Sequence, residues 1–241
     1  MSTGKILLAG DSAVTVQFGE TIDPAIYAKV KSLNEAIEGA KPKGIIETIP
    51  TFRSLMVQYD PLLLPYAELV TLLEGFVQQS GKTKAARKKV ITIPVCFGGS
   101  KGPDLQDVAD YHHMTTDEVV RLCCSKDVLI YMLGFTPGYP YIGGMPEELA
   151  TPRLISPRLK VPAGSVGIGG EQLGVYSVES PGGFRLIGKT PLHLYDPFRR
   201  KNTVLLEAGE YIRFKAINEL EYGKIAKEEQ LGTYQYEIRE E

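Results

Sequence analysis

Gly134-Phe135-Thr136-Pro137-Gly138-Tyr139-Pro140-Tyr141 stands near the head of a stretch, residues 131–196, in which glycine and proline crowd together. Its 66 residues hold 12 of the 25 glycines and 8 of the 16 prolines of a 241-residue chain. Helix interiors tolerate neither residue well, so the stretch has to be built from turns and short strands. Strands are predicted at 161–168, 173–178, 184–187, 204–206 and 211–216, each bounded by glycine or proline in the way small barrels and sandwiches require. Upstream, residues 90–95 and 128–133 read as further strands, with short helices at 104–111 and 115–124. Thr115 and Glu118 have the spacing of a capping box, and a late helix is predicted over 218–229 with Asn218 as its cap and Glu221 at its third position.

The first third of the chain has a different texture. Strands at 6–9 and 13–18 flank the turn Gly10-Asp11-Ser12. Asp23 then caps a helix that has Pro24 at its first position and Ile26, Val30, Leu33 and Ile37 on one face, with Gly39 as its end. Strands at 44–49 and 54–59 follow. A second helix over 65–79 turns Leu69, Leu72, Leu73 and Phe76 inward, and Gly81 closes it. The order is ββαββα. Residues 82–89 carry five positive charges and no large apolar side chain, which reads as a solvated linker ahead of a binding patch. The expected organisation is therefore an α+β chain, with an N-terminal α/β domain at 1–86 and a β-rich domain at 87–241 that carries the site.

Composition narrows the function classes. A hydrophobic fraction of 43% and a charged fraction of 23% belong to an ordinary globular protein. A net charge of −2 offers no field for nucleic acid or an anionic membrane, leaving small molecules and proteins as partners. No stretch approaches the roughly 18–20 apolar residues of a membrane span, and the four apolar residues Ile6 to Ala9 are too few for a signal-peptide core, so a cytoplasmic protein is expected. Cys96, Cys123 and Cys124 form no C-x-x-C pair. They predict reduced thiols, with neither a disulfide framework nor a metal site.

Several motifs fail on inspection. Gly164-Ser165-Val166-Gly167-Ile168-Gly169-Gly170 has Gln172 where a dinucleotide fingerprint starting at Gly167 needs glycine, and both flanks are strand-like. Gly98-Gly99-Ser100-Lys101-Gly102 lacks the ending of a P-loop. His112 and His113 are consecutive, so they point about 100° apart and cannot chelate one ion together; they read as surface histidines. His193 alternates with Leu192 and Leu194 and so faces away from them. No serine, histidine and acid stand in a recognisable nucleophile context.

Two segments remain informative. In Pro152-Arg153-Leu154-Ile155-Ser156-Pro157-Arg158-Leu159-Lys160-Val161-Pro162, prolines restrict the backbone beside each arginine. A guanidinium held this way suits a carboxylate, which it grips by two parallel hydrogen bonds; alternatively, Arg153 and Arg158 pair with Glu147, Glu148 or Glu179 to pin the loop. The segment Gly134 to Tyr141 joins aromatic rings to turn residues directly after a strand, an arrangement that either walls a pocket or caps the core beneath it.

These segments, with Gln172 and with Ser180-Pro181-Gly182-Gly183-Phe184-Arg185, closely resemble the 5-oxoprolinase B-subunit family, which also goes under the names kinase A inhibitor and allophanate hydrolase subunit 1. The resemblance extends to the early Gly10-Asp11-Ser12-Ala13 turn and so runs along the whole chain. It implies a C-terminal domain with a cyclophilin-like β-barrel. It also implies assembly with a homologous-barrel C subunit and a LamB/YcsF-type A subunit, which together open 5-oxo-L-proline to L-glutamate. ATP would be used by that complex and bound outside this chain. The same resemblance implies two other roles, inhibition of a sensor histidine kinase and a place in an allophanate hydrolase. The fold alone suggests a peptide-binding barrel with prolyl isomerase activity. Expected substrate-binding residues are Arg158, Gln172, Tyr139, Arg185, Phe135 and Arg153. No catalytic residue is identified. Cys123 stands where family members carry histidine, Phe184 where they carry tryptophan, and Lys189 where they carry arginine. A thiol is no simple substitute for a proton-transferring imidazole.

Overall fold

In the computed structural model, residues 4–80, 88–199 and 203–241 are described. The chain forms two units, Met1–Ala86 and Arg87–Glu241.

The first unit is an open-faced sandwich. Strands β1 (Lys5–Leu8), β2 (Ala13–Gln17), β3 (Ile45–Pro50) and β4 (Ser54–Tyr59) form an antiparallel sheet in the order β1-β2-β4-β3. Helices α1 (Pro24–Ala40) and α2 (Tyr66–Ser80) complete the unit. Its core joins Val14 and Val16 of β2 and Leu55 and Val57 of β4 to Val30, Leu33 and Ile37 of α1 and Leu69 and Leu73 of α2. Alternation in the strands and three-to-four spacing in the helices place these residues on facing surfaces. Asp23 caps α1 through the backbone N–H groups of Ala25 and Ile26. The predicted stop at Gly39 falls inside the helix; the left-handed residue is Lys41, at φ 45°, whose N–H bonds the Ile37 carbonyl. Gly81, predicted to close α2, and residues 82–87 of the basic run lie outside the described residues.

The second unit is built around a closed barrel. Its strands are β5 (Lys89–Phe97), β6 (Val128–Leu133), β7 (Pro140–Gly143), β9 (Ser165–Gly169), β10 (Gln172–Val175), β12 (Arg185–Lys189) and β13 (Tyr211–Ala216), with β8 (Arg158–Val161), β11 (Ser180–Gly182) and β14 (Ile238–Glu240) outside it. The barrel order is β12-β9-β10-β7-β6-β13-β5, and pairing of Gly188 with Phe97 and of Lys189 with Cys96 closes β12 onto β5. Only the β5–β13 pair is parallel. β14 adds to the outer edge of β5, while β8 and β11 form a separate two-stranded ribbon. The cyclophilin-like barrel expected for this unit is therefore present as a closed seven-stranded sheet.

Helices α3 (Leu105–Tyr111), α4 (Thr116–Cys123) and α5 (Glu219–Gln230) accompany the barrel. Both α4 and α5 begin with the capping boxes read from Thr115 and Glu118 and from Asn218 and Glu221. Val108, Ala109, Val119 and Cys123 of α3 and α4 share one apolar core with Ile93, Val95, Ile130, Ile168, Ile187 and Phe214 of the strands. Among the described residues no helix is long and apolar enough to cross a membrane.

Three strand expectations need correction. The predicted strand 161–168 is two strands, β8 and β9, because Gly164 takes φ 82° and turns the chain between them. The segment 204–206 is not a strand; only Val204 bridges to Tyr195. β7, β11 and β14 were not expected, since Pro140 and Gly143, Pro181 and Gly182, and an acidic C-terminus all argue against strands locally. Lys88 and Lys89 of the basic run are not simply solvated: they pair with Asp127 and Glu210, each at 2.5 Å.

Candidate functional site

A groove of about 300 Å³ opens on the second unit, lined by Phe135, Tyr139, Tyr141, Arg153, Pro157, Gln172, Tyr176, Pro181, Gly182, Gly183 and Phe184. Four separate pieces of chain supply it: the β6–β7 turn, the proline-rich loop ahead of β8, the start of β10, and the segment from Tyr176 through β11 to Phe184.

Turn geometry places the first wall. Gly134 N–H bonds the Tyr139 carbonyl and Tyr139 N–H bonds the Thr136 carbonyl, folding residues 134–139 tightly. Within that turn Phe135 adopts φ 62° and is 62% exposed. A left-handed conformation costs a β-carbon-bearing residue about 1–2 kcal/mol. The ring is nevertheless held out of the core, edge-on to Tyr139 at 5.5 Å.

From Tyr139 the rings continue edge to face, to Tyr141 at 5.5 Å, to Tyr176 at 5.5 Å and from Tyr176 to Phe184 at 6.2 Å. Tyr139, Tyr176 and Phe184 form their own apolar cluster with Val161 and Leu186, apart from the main barrel core. Burial pushes the Tyr139 hydroxyl well above the usual phenol range; neighbouring Tyr176 and Tyr141 add to the shift and Arg153 opposes it. Burial raises Tyr176 as well, against a hydrogen bond with the Phe184 backbone and the charges of Arg153 and Arg158. Both phenols are neutral at physiological pH and act as hydrogen-bond donors or acceptors, not as bases.

The six residues expected to bind substrate divide into two groups. Tyr139, Phe135, Arg153 and Gln172 line the groove. Arg158 and Arg185 do not. Arg158 Nη2 donates to Asp104 Oδ1 at 2.7 Å and Nη1 reaches the Phe184 carbonyl at 3.4 Å. Arg185 Nε donates to the Pro152 carbonyl at 3.0 Å, and its Nη1 lies 3.6 Å from Asp107. Loop pinning by Glu147, Glu148 or Glu179 is also corrected, since Arg158 uses Asp104 and only Lys160 meets Glu179, at 3.5 Å. Arg153 forms no ion pair with a described residue; its guanidinium sits 4.9 Å from the Phe184 ring centroid.

Asp104 escaped the sequence reading. It stands at the start of α3, where an acid reads as a helix cap, yet its side chain makes no cap bond. The buried carboxylate instead accepts from Arg158 and, at 2.6 Å, from the Leu186 N–H, while its own N–H bonds the Leu186 carbonyl. One acid thereby ties α3, β8 and β12 together, including both chain segments that carry Pro157 and Phe184. Tyr176 was missed for a similar reason: its position after β10 fits a strand residue, and only the fold turns its ring toward Tyr139.

Other chemistry-bearing residues stand elsewhere. Cys123 is 1% exposed in the barrel core, and burial, with a smaller contribution from Cys124, pushes its thiol far above the usual range. It cannot form a reactive thiolate there. His112 is not a free surface histidine. Thr151 Oγ1 donates to the Leu149 carbonyl, so His112 Nε2, 3.0 Å away, donates to Thr151. His193 is exposed between buried Leu192 and Leu194. Of the two glycine-rich segments, Gly167 and Gly169 are buried in β9, and beside Gly98, Gly99 and Gly102 the Lys101 ammonium pairs with Glu219 over the Tyr222 ring. Among the described residues no group of three His, Cys, Asp or Glu side chains could hold a metal ion. The groove offers one cation, amide and phenol hydrogen bonds and apolar rings, and no acid, imidazole, thiol or serine hydroxyl. Such a lining suits the binding of a small molecule through charge, hydrogen bonds and ring contacts.

Comparison with known proteins agrees along most of the chain. The family model of the carboxyltransferase domain, subdomain C and D, matches residues 4–206. The chain is 40% identical over 223 residues to the 5-oxoprolinase B subunit of Bacillus subtilis, covering 88% of this chain and 92% of that one. With the 5-oxoprolinase B subunit of Escherichia coli O157:H7 it shares 36% identity over 215 residues, covering 89% and 96%. The crystal structure of the K. lactis urea amidolyase superposes over 100% of this chain and 16% of its own, with a TM-score of 0.82 at 21% identity, a likeness of fold alone. With its barrel, its separate four-stranded sheet and matches that span nearly the full length of both bacterial relatives, the chain belongs to the 5-oxoprolinase B-subunit family.

Proposed function

We propose that this chain is the B subunit of a 5-oxoprolinase, acting with a homologous-barrel C subunit and a LamB/YcsF-type A subunit in the cytoplasm to convert 5-oxo-L-proline to L-glutamate. The observation that carries the reading is the match, at 40% identity, to 92% of the Bacillus subtilis relative. The groove supports it from the chemical side. Its size and aromatic lining suit a small ring, and the acid–base chemistry would be supplied by the other subunits. ATP would be used by the complex and held outside this chain.

The test is reconstitution. The three subunits are co-expressed, purified by a tag on this chain, and assayed for glutamate formed from 5-oxoproline with and without ATP. The expected result is ATP-dependent turnover that disappears when this chain is omitted. Full turnover by the other two subunits alone, or none by all three together, refutes the proposal.

A further inference from the structure

The segment from Arg153 to Lys160 and Arg185 at the start of β12 supply four cations, and three of them are already committed: Arg158 to Asp104, Arg185 to Asp107 and the Pro152 carbonyl, and Lys160 to Glu179. Arg153 alone of the four is without a carboxylate among the described residues, and it is the only ionised group in the groove lining. Phe184 supports its guanidinium from one side at 4.9 Å, and Pro152 restricts the backbone before it. Gln172, at the start of β10, also lines the groove, and its carboxamide takes no hydrogen bond from a described residue. One unneutralised cation and one carboxamide without a partner among the described residues therefore line the same groove as a set of aromatic rings.

We infer that Arg153 anchors the carboxylate of the ligand and Gln172 reads a cis-amide edge, so that this groove selects a small lactam carrying a carboxylate. The inference rests on the 5-oxoprolinase reading and assigns residues to it. A lactam ring locks its amide cis, which puts N–H and C=O on one edge. The donor and acceptor of a primary carboxamide match that edge with two parallel hydrogen bonds. A guanidinium matches a carboxylate in the same two-point way. The lactam ring then lies against Tyr139 and Phe184.

The experiment uses the assembled three-subunit complex. Arg153→Ala is expected to raise KM for 5-oxoproline by about 10- to 100-fold, the loss of one charged two-point contact, while kcat changes by less than about 3-fold. Arg153→Lys recovers part of the loss, and Gln172→Leu raises KM by about 5- to 20-fold. Lys160→Ala, which removes a cation in β8 outside the lining, leaves both constants unchanged. Competitive inhibition by 2-pyrrolidinone, the lactam without a carboxylate, is expected to be equally weak in wild type and Arg153→Ala. Arg153 is exposed, so thermal melting of Arg153→Ala should match wild type and separate a binding loss from a folding loss. A KM for Arg153→Ala within about 3-fold of wild type, or a 2-pyrrolidinone affinity that falls in parallel with that of 5-oxoproline, overturns the inference. A wild-type complex without turnover refutes the functional reading itself.

Discussion

Arg158→Ala is the substitution that separates a ligand-binding arginine from a structural one. The Asp104 carboxylate, 7% exposed, holds Arg158 at 2.7 Å and the Leu186 N–H at 2.6 Å. Removing the guanidinium eliminates one charge-assisted hydrogen bond, worth about 1.5–3 kcal/mol, and leaves a buried carboxylate short of a partner. Breaking a fully buried ion pair costs about 3–5 kcal/mol. Here the cost sits lower, because the Arg158 side chain is 30% exposed, water enters the space it vacates, and Leu186 N–H still faces Asp104. A loss of about 2 kcal/mol follows, which for a unit of this size lowers Tm by about 4–8 °C.

Urea unfolding gives the direct measurement. The chain has no tryptophan and 13 tyrosines, most of them after residue 87, so tyrosine emission reports on the second unit. Asp104→Ala should cost at least as much as Arg158→Ala. The double variant should cost less than the sum of the two by about 1 kcal/mol or more, since each single change already breaks the shared contact. In the assembled complex, KM for 5-oxoproline should rise far less for Arg158→Ala than for Arg153→Ala. A urea midpoint for Arg158→Ala indistinguishable from wild type, combined with a large rise in KM, would return Arg158 to the ligand and refute the role assigned to Asp104.

Other outcomes follow from the same contacts. In Gly174→Ala the new β-carbon meets the Tyr139 hydroxyl at 2.3 Å and Phe184 at 3.0 Å, so a loss of about 1–3 kcal/mol is expected, with a changed near-ultraviolet circular dichroism of the tyrosines. Cys123 should resist alkylation by iodoacetamide at pH 8 in the native protein and react at once in urea, because its thiol is buried and raised; rapid native labelling at Cys123 would contradict the core position. Burial pushes the Asp127 carboxyl up, but hydrogen bonds from Lys88 and Arg213 outweigh it and hold the group below the usual carboxylate range. Its contribution to stability is therefore complete above the unfolded value of about 3.9 and is lost as pH falls through the lower folded value. Asp127→Asn should destabilise the protein at pH 7, and its deficit against wild type should shrink below about pH 4 in urea titrations.

Elements set by local chemistry were legible in the sequence, and those set by distant partners were not. The Asp23 cap, the Thr115 and Asn218 capping boxes and the alternation of Val14 and Val16 each involve residues a few positions apart, and each appears in the structure. The strand at 161–168 failed because Pro162 and Gly164 look tolerable in an apolar run, whereas the left-handed φ of Gly164 redirects the chain. The aromatic wall could be read as a candidate because its members cluster around turn residues. Which arginine stays unpaired could not, since the answer depends on Asp104, 54 positions before Arg158, and on Asp107 reaching Arg185. Proline spacing fixed where the cations stand along the chain, while the fold decided which of them met acids.

The abundance of glycine in residues 131–196 takes on a second meaning once the groove is seen. Turns explain Gly138 and Gly164, which have positive φ. They do not explain Gly169 and Gly174, which lie inside paired strands, where glycine weakens a sheet. A β-carbon on Gly169 would stand 2.4 Å from the Phe184 ring, and one on Gly174 would meet the Tyr139 hydroxyl. By giving up side chains the two strands let the Phe184 ring and the Tyr139 hydroxyl approach their backbones, within an apolar cluster separate from the main barrel core. The loss of strand propensity makes room for a set of edge-to-face rings beside one guanidinium that has no carboxylate partner among the described residues, a combination whose size and charge suit a small ring carrying a carboxylate. Glycine in this part of the chain therefore marks two kinds of place, turns that need a positive φ and strand positions where an aromatic side chain takes the room of a β-carbon.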